Sequence, residues 1–133
     1  MIVVADTSPL NYLILIDEIK LLAALFGQVL VPQAVVRELA QEKTPLPVRQ
    51  WITCPPPWLE VRTLVSAANP ALMNLDAGER EAIQLALELR ISTVLMDEAD
   101  GREAAERLHL EVRGTLGILE RAAKIGKIDF RQT

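Results

Sequence analysis

Two apolar runs of this sequence end in an aspartate. Ile2-Val3-Val4-Ala5 leads into Asp6, and Thr93-Val94-Leu95-Met96 leads into Asp97. Each run has the length and composition of a strand that is buried on both faces of a parallel sheet. Ligands of open parallel sheets bind beyond the carboxyl ends of the strands, so both carboxylates are predicted to face one site.

Three further acids are candidates for the same site, and each has an ordinary structural alternative. Glu38 lies inside a predicted helix, where it could simply face solvent. Glu79 lies in the first turn of another helix, where it could reach back to the cap and favour the helix dipole. Asp100 could cap its own helix instead of joining the cluster.

Carboxylates that are held close together repel one another, and at neutral pH they stay ionised mainly when cations neutralise them. The chain contains one cysteine, Cys54, and one histidine, His109, which excludes the usual zinc arrangements. All-oxygen sites select hard cations, here one or two Mg²⁺ or Mn²⁺ ions. Such ions lower the pKa of bound water and stabilise charge on phosphate oxygens, so the acids predict phosphodiester hydrolysis without a protein nucleophile.

The composition sets limits on the class of protein. A length of 133 residues fits a single domain spanning 1–133, and the hydrophobic half of the chain supplies one core. The formal net charge of −4 argues against nucleic-acid binding through a broad basic face. It does not exclude a nuclease, because metal ions would neutralise the clustered acids locally.

The chain is expected to be cytoplasmic and to have no membrane segment. No basic n-region precedes the first apolar run, so no signal peptide is predicted. No apolar stretch reaches the roughly 20 residues that span a bilayer. A single cysteine is typical of a reduced, cytosolic protein.

Short β-branched runs alternate with helical patterns along the whole chain. Strands are predicted at 2–5, 29–31, 59–64 (an edge or half-exposed strand), 93–96 and 110–112. Helices are predicted from Pro9 behind a Ser8 cap, over 18–25, from Pro32, over 48–52, after an Asp76 cap, over 100–108, and from a Thr115 cap to Gly126. This alternation predicts an α/β fold with right-handed βαβ units and a mainly parallel sheet covered on both faces.

Five segments, in this order, resemble the motifs of PIN domains. They are Ala5–Leu10, Val31–Pro32 with Arg37–Leu39, Leu75–Ile83, Leu95–Arg102 and Gly114–Leu119. The resemblance covers nearly the whole chain and is closest to a subgroup related to VapC toxins. It implies a three-layer α/β/α fold with a five-stranded parallel sheet, and a Mg²⁺- or Mn²⁺-dependent endoribonuclease activity.

The resemblance also implies roles for particular residues. It assigns metal-site roles to Asp6, Glu38 and Asp97, and to one further acid that lies between Glu38 and Asp97 in the chain. In the mechanism expected from these roles, Asp6, Asp97 and that acid hold the metal, and Glu38 orients or deprotonates the attacking water. Glu79 matches the third acid best, and Glu81 is the alternative. Asp100 matches an accessory metal ligand only loosely. Hydrogen-bond partners of the carboxylates or metal waters are implied at Thr7, Ser8 and Thr115, and less strongly at Asn11. Contacts to the RNA backbone could come from Arg37 and Arg102, for which simple charge pairing is the alternative.

The resemblance also implies partners, and two other functions compete with the nuclease. VapC-like toxins usually pair with a small antitoxin and many form homodimers, so an RNA substrate, an antitoxin and a dimer surface within 10–25 are expected. One competing function is an aspartate-dependent phosphatase, which is disfavoured because Ser8 replaces the second aspartate such sites commonly carry. The other is a non-catalytic PIN-like scaffold, which the filled acid positions disfavour. The RNA target and the choice between toxin and processing enzyme stay open.

Overall fold

Five parallel strands form the centre of the fold in the computed structural model, which describes residues 1–126. Every neighbouring pair of strands is parallel, and their order in the sheet is β3-β2-β1-β4-β5. The strands are β1 (Ile2–Ala5), β2 (Gln28–Pro32), β3 (Leu59–Arg62), β4 (Thr93–Leu95) and β5 (Glu111–Arg113). The predicted five-stranded parallel sheet is confirmed, with β3 at an edge.

Helices cover both faces of this sheet. They are α1 (Thr7–Leu15), α2 (Leu21–Phe26), α3 (Gln33–Leu39), α4 (Leu46–Thr53), α5 (Ala77–Leu89), α6 (Ala99–Arg107) and α7 (Thr115–Lys124), with a short 3-10 helix at Pro70–Leu72. Alternate side chains of β1 enter different cores: Val3 packs with residues of α1 to α4 and α7, and Val4 packs with residues of α5 and α6. Within residues 1–126, none of the helices has the length and apolar character required to cross a bilayer.

The chain changes direction across the sheet between β1 and β4. From β1 it winds outward through β2 to the edge strand β3, and then it returns to the other side of β1. Such a switch point opens a crevice at the carboxyl ends of the strands. Ala5 pairs with Leu95, and the Asp6 amide donates to the Leu95 carbonyl at 2.9 Å. The two strands therefore end side by side.

The first helices begin at other residues than the sequence predicts. Helix α1 starts at Thr7 with Asp6 in the N-cap position, instead of at Pro9 behind a Ser8 cap. Proline is compatible with this because the amides of a first turn have no partner within the helix. The second helix begins at Leu21 and not at 18, since Asp17 has a φ of +59° and turns the chain there.

The predicted Thr115 cap of the last helix is also wrong, and of the two alternatives left open for Asp100 the cap is not the one observed. Gly114 is the N-cap residue of α7, so Thr115 is the first helical residue and its hydroxyl is free for another contact. The helix ends at Lys124, and Gly126 lies beyond it with a φ of +79°. Glu98 occupies the N-cap position of α6, which leaves Asp100 in the first turn and not at the cap.

Candidate acidic active site

An acidic cavity of about 310 Å³ opens at the carboxyl end of β1. Six of its nine lining residues are acidic, and no lysine or arginine is among the described residues that line it. The acids are Asp6, Glu38, Asp76, Glu79, Glu98 and Asp100, and the other three residues are Thr7, Ser8 and Ala99. Four of the acids singled out in the sequence are thus brought together at the switch point of the sheet.

The topology explains why acids so far apart in the chain meet here. Asp6 follows β1 directly, while Glu79 and Asp100 stand in the first turns of helices α5 and α6. Glu38 comes from the last turn of α3 and reaches the cavity beside the start of α1. Helix N-termini carry partial positive charge, so the first turns of α1, α5 and α6 favour carboxylates at this place.

Glu38 is held on the cavity wall by two hydrogen bonds from different helices. The Thr7 hydroxyl donates to Oε2 at 2.6 Å, and the Gly78 amide donates to Oε1 at 3.0 Å. A Cβ added to Gly78 would lie 2.5 Å from Glu38 Oε1 and 3.0 Å from Asp6 Oδ1. The absence of a side chain at Gly78 is what lets these acids approach the helix, and the half-buried Glu38 lines the cavity.

Two buried carboxylates in the cavity lack partners for one oxygen each. Asp6 is 3% exposed and Glu79 is 6% exposed, yet Asp6 Oδ1 and Glu79 Oε2 have no hydrogen-bond partner among residues 1–126. Burial raises the pKa of Asp6 to about 7, with further contributions from the negative charges of Asp76, Glu38 and Asp97 and an opposing one from the Thr7 amide. Burial likewise raises the pKa of Glu79, assisted by its hydrogen bond with Asp76.

These observations fit a site for a hard divalent cation. A cation would satisfy the orphaned oxygens and offset the burial and charge repulsion that raise both pKa values. Within residues 1–126, no group of three or more His, Cys, Asp or Glu side chains is placed so that it could hold a metal ion by direct contact. Mg²⁺ does not need such a group, because it commonly keeps several waters and takes only one or two carboxylates from the protein.

Asp97 stands apart from the cavity lining. Thr115 donates to it twice, from its amide to Oδ1 and from its hydroxyl to Oδ2, both at 2.7 Å. Its charge still contributes to the raised pKa of Asp6. Asp97 therefore lies near the acidic cavity but is oriented by the start of α7, and it borders a neighbouring depression together with Arg102.

The structure separates the two glutamates that compete for the third acid position. Glu79 lines the cavity, whereas Glu81 accepts a hydrogen bond from the Ala34 amide at 3.1 Å. Glu81 also lies 3.7 Å from the guanidinium of Arg37. Arg37 is accordingly paired with a protein acid, and Glu81 supports the start of α3 instead of the cavity.

The remaining predicted residues fall into two groups. Thr7 and Ser8 line the acidic cavity, while Asn11 lines an adjoining one.

Two cavity acids, Asp76 and Glu98, were missed as site candidates. The sequence pattern predicts a helix cap at Asp76, and Asp76 does accept from the Glu79 amide at 2.9 Å, but it also lines the cavity. Asp76 lies three residues before Glu79, a spacing that places both carboxylates at the same helix end and could have indicated a second acid in the site.

Comparisons with known proteins agree with this architecture. A family model described as a PIN domain matches residues 2–133. Among solved structures, a PilT N-terminus domain protein from the hyperthermophilic archaeon Sulfolobus solfataricus P2 is similar with a TM-score of 0.64 and 16% identity, over 92% of this chain and 93% of that chain. At this identity the likeness concerns the fold alone. No curated protein sequence matches the chain.

Proposed function

The chain belongs to the PIN-domain family, and from that premise we propose that it is a metal-dependent endoribonuclease that hydrolyses RNA phosphodiester bonds in its acidic cavity. The observation that carries the proposal is the pair of buried, unpartnered carboxylate oxygens on Asp6 and Glu79. Unsatisfied buried charge is costly, and a fold retains it where a ligand compensates for it.

We propose that Asp6, Glu79, Asp97 and Asp100 hold one or two Mg²⁺ or Mn²⁺ ions, directly or through water. When bound, the cation would activate a water and stabilise negative charge on the scissile phosphate. Both carboxylate oxygens of Asp97 accept hydrogen bonds from Thr115. These two bonds fix the orientation in which the Asp97 carboxylate would face a bound cation.

Glu38 is the proposed general base. Its two hydrogen bonds fix the carboxylate at the cavity wall, and each oxygen keeps a lone pair for the attacking water. The water oxygen forms a bond to phosphorus while its proton passes to Glu38. The bond from phosphorus to the 3′ oxygen breaks in line with the attack, and the leaving oxygen takes a proton from solvent water, which gives a 5′-phosphate and a 3′-hydroxyl.

Cleavage of RNA with divalent metal is the direct test. The purified chain is expected to cut single-stranded RNA when Mg²⁺ or Mn²⁺ is present, and EDTA is expected to abolish cleavage. Gel analysis of end-labelled RNA, with phosphatase treatment to identify the 5′ ends, measures both the activity and its products. Phosphorylation of the protein at Asp6 would instead support a phosphatase. Cleavage that does not need a divalent metal would contradict the proposal that the acidic cavity binds a catalytic cation.

A change at Thr115 tests the position of Asp97. Thr115→Val removes the hydroxyl donor and keeps the amide donor, so we expect kcat/KM for RNA to fall about tenfold, as for loss of a metal-ligand partner. Thr115→Ser retains the hydroxyl and is expected to keep most of the activity. Thermal melting of both variants controls for folding. Wild-type activity in a well-folded valine variant would contradict a role for the Thr115 hydroxyl in positioning Asp97.

We also propose that the chain acts in the cytoplasm as the toxin of a toxin–antitoxin pair and forms a homodimer. The support is the sequence resemblance to VapC-like proteins, together with a cavity whose acids would attract the basic side chains of an antitoxin. Exposed Leu15 and Ile16 lie within the stretch expected to form a dimer surface. Growth arrest on expression, relieved by a co-expressed neighbouring gene, would support the pair.

A further inference from the structure

Glu38 stands at the weak end of a short helix. Helix α3 has seven residues and ends at Leu39, so Glu38 is one residue from its end. The last carbonyls of an α-helix have no partner within the helix, and a helix of this length is only marginally stable by itself. The position of a side chain in this last turn therefore depends on the contacts that close the turn.

The chain after α3 folds back and closes this turn on the carbonyl of Glu38. The Thr44 hydroxyl donates to that carbonyl at 2.7 Å, and the Gln41 amide donates to it at 3.4 Å. The Thr44 amide in turn donates to the Gln41 carbonyl at 3.0 Å. Thr44 thus binds the main chain of Glu38 directly and also holds the residue that makes the longer bond.

Thr44 is itself held by helix α4. Arg49 Nε donates to the Thr44 carbonyl at 2.9 Å. Thr44 precedes Pro45, the N-cap residue of α4, and a residue before proline is restricted to extended conformations. Helix α4 is anchored by Val48 and Ile52, which are buried in the same core as residues of α1 and α3. The position of the Thr44 hydroxyl is therefore set by the packed core.

The carboxylate of Glu38 needs an accurate position because its partners lie on two other helices. Thr7 of α1 donates to Oε2 at 2.6 Å, and Gly78 of α5 donates to Oε1 at 3.0 Å. A shift at the end of α3 would alter both bonds together. A displacement of about 1 Å in a reacting group can lower a rate by as much as about 100-fold.

On the basis of the proposed function, we infer that Thr44 is a positioning residue for the general base. Its hydroxyl holds the last turn of α3, so that the Glu38 carboxylate meets the Thr7 hydroxyl and the Gly78 amide. The bond goes to the main chain of Glu38 and leaves the carboxylate oxygens free for the reaction. Without the hydroxyl the base is present but displaced, which slows the chemical step and leaves RNA binding unchanged.

Thr44→Val removes the hydroxyl, keeps the shape of the side chain and suits the extended backbone before a proline. We expect kcat for RNA to fall about tenfold and KM to stay within about twofold, as for an interaction that acts only in the transition state. Thr44→Ser retains the donor and is expected to restore kcat to within about twofold of the wild type. Initial cleavage rates over a range of RNA concentrations, with Mg²⁺ present, measure both constants.

Hydrogen exchange at the Gly78 amide reports the position of the Glu38 carboxylate without RNA or metal. This buried amide lies in the first turn of α5, where the helix offers it no carbonyl, and it donates to Glu38 Oε1. In Thr44→Val its exchange, followed by NMR in EDTA, is expected to be about fivefold faster or more. The amides in the interior of α5 are expected to exchange as in the wild type, which separates displacement of Glu38 from a general loss of stability.

Thr53→Val is the matched control. The Thr53 hydroxyl also donates to a carbonyl in the last turn of a helix, that of Gln50 at 2.6 Å, but it lies at the far end of α4. Its kcat and its Gly78 exchange are expected to equal those of the wild type.

Wild-type kcat or wild-type Gly78 exchange in a folded Thr44→Val variant overturns the inference, and so do equal losses in Thr53→Val. A rise in KM at constant kcat also overturns it, because Thr44 would then act on the substrate and not on Glu38. Faster Gly78 exchange in Thr44→Val, in a protein whose wild type cleaves no RNA, supports the positioning of Glu38 by Thr44 and overturns the nuclease.

Discussion

Asp6→Asn is expected to lower RNA cleavage by more than about 100-fold. Asp6 is the most buried acid of the cavity, and its Oδ1 has no hydrogen-bond partner in the part of the chain that the structure describes. Loss of a residue that hydrogen-bonds a metal ligand already lowers activity or metal affinity roughly 10- to 100-fold. Loss of the ligand itself is expected to have a larger effect. An amide keeps the size of the side chain and removes its charge.

The same substitution is expected to stabilise the metal-free protein at neutral pH and above. The folded chain holds the Asp6 proton up to about pH 7, whereas an ordinary aspartate has a pKa of 3.8. Because the folded state binds more protons in that window, this group makes the free energy of unfolding decrease as pH rises from about 4 to 7. Asparagine does not titrate and removes that decrease.

Denaturant melts of both proteins in EDTA, at pH 4 and pH 8, measure this effect. At pH 8 the asparagine variant is expected to be more stable by on the order of 1–3 kcal/mol, and at pH 4 the two should be similar. The difference in stability between the two proteins at each pH reports the contribution of Asp6 alone, because the other acids of the cavity are the same in both. Added Mg²⁺ is expected to raise the melting temperature of the wild type only. A variant that still cleaves RNA, or that melts earlier at pH 8, would contradict this account.

Glu79→Gln and Glu81→Gln are expected to behave differently, although the same atoms change two residues apart on α5. Glu79 lines the acidic cavity with an unpartnered Oε2, so its substitution should lower metal affinity and cleavage by at least about tenfold. Glu81 bonds the Ala34 amide and pairs with Arg37. Its substitution should leave cleavage intact and cost at most about 1 kcal/mol of stability.

Metal titration calorimetry and RNA cleavage rates of the two variants, measured side by side, test this expectation. Each variant controls for the other, because both carry the same change in charge and both lie on one helix. Equal losses in the two variants would show that the net charge of the chain, and not the cavity, sets metal affinity. A larger loss in Glu81→Gln would reverse the assignment of the third acid.

The sequence was sufficient to predict most of the fold because buried parallel strands and amphipathic helices have different periodicities. The apolar runs at β1 and β4 and the alternation at β3 identify strands without any knowledge of their neighbours. Element ends were predicted less well. Ser8, Asp100 and Thr115 all have the chemistry of a cap, but their hydroxyl or carboxylate groups had better partners or positions elsewhere, which a local pattern does not reveal.

By itself the sequence determined that acids follow the buried strands β1 and β4, and that a parallel sheet must bring those strand ends to one edge. Only the tertiary structure decided which acids of the helices join them. Glu79 and Glu81 point in different directions around α5. Only the packing of α3 against α5 decides which of the two faces the cavity, because Glu81 accepts a hydrogen bond from the Ala34 amide of α3. Asp97 turns to Thr115 because α7 begins beside it. Acids with similar local sequence therefore have different roles, and contacts between distant segments determine which of them join the site. The reason is that the energy of a buried charge depends on all the groups around it.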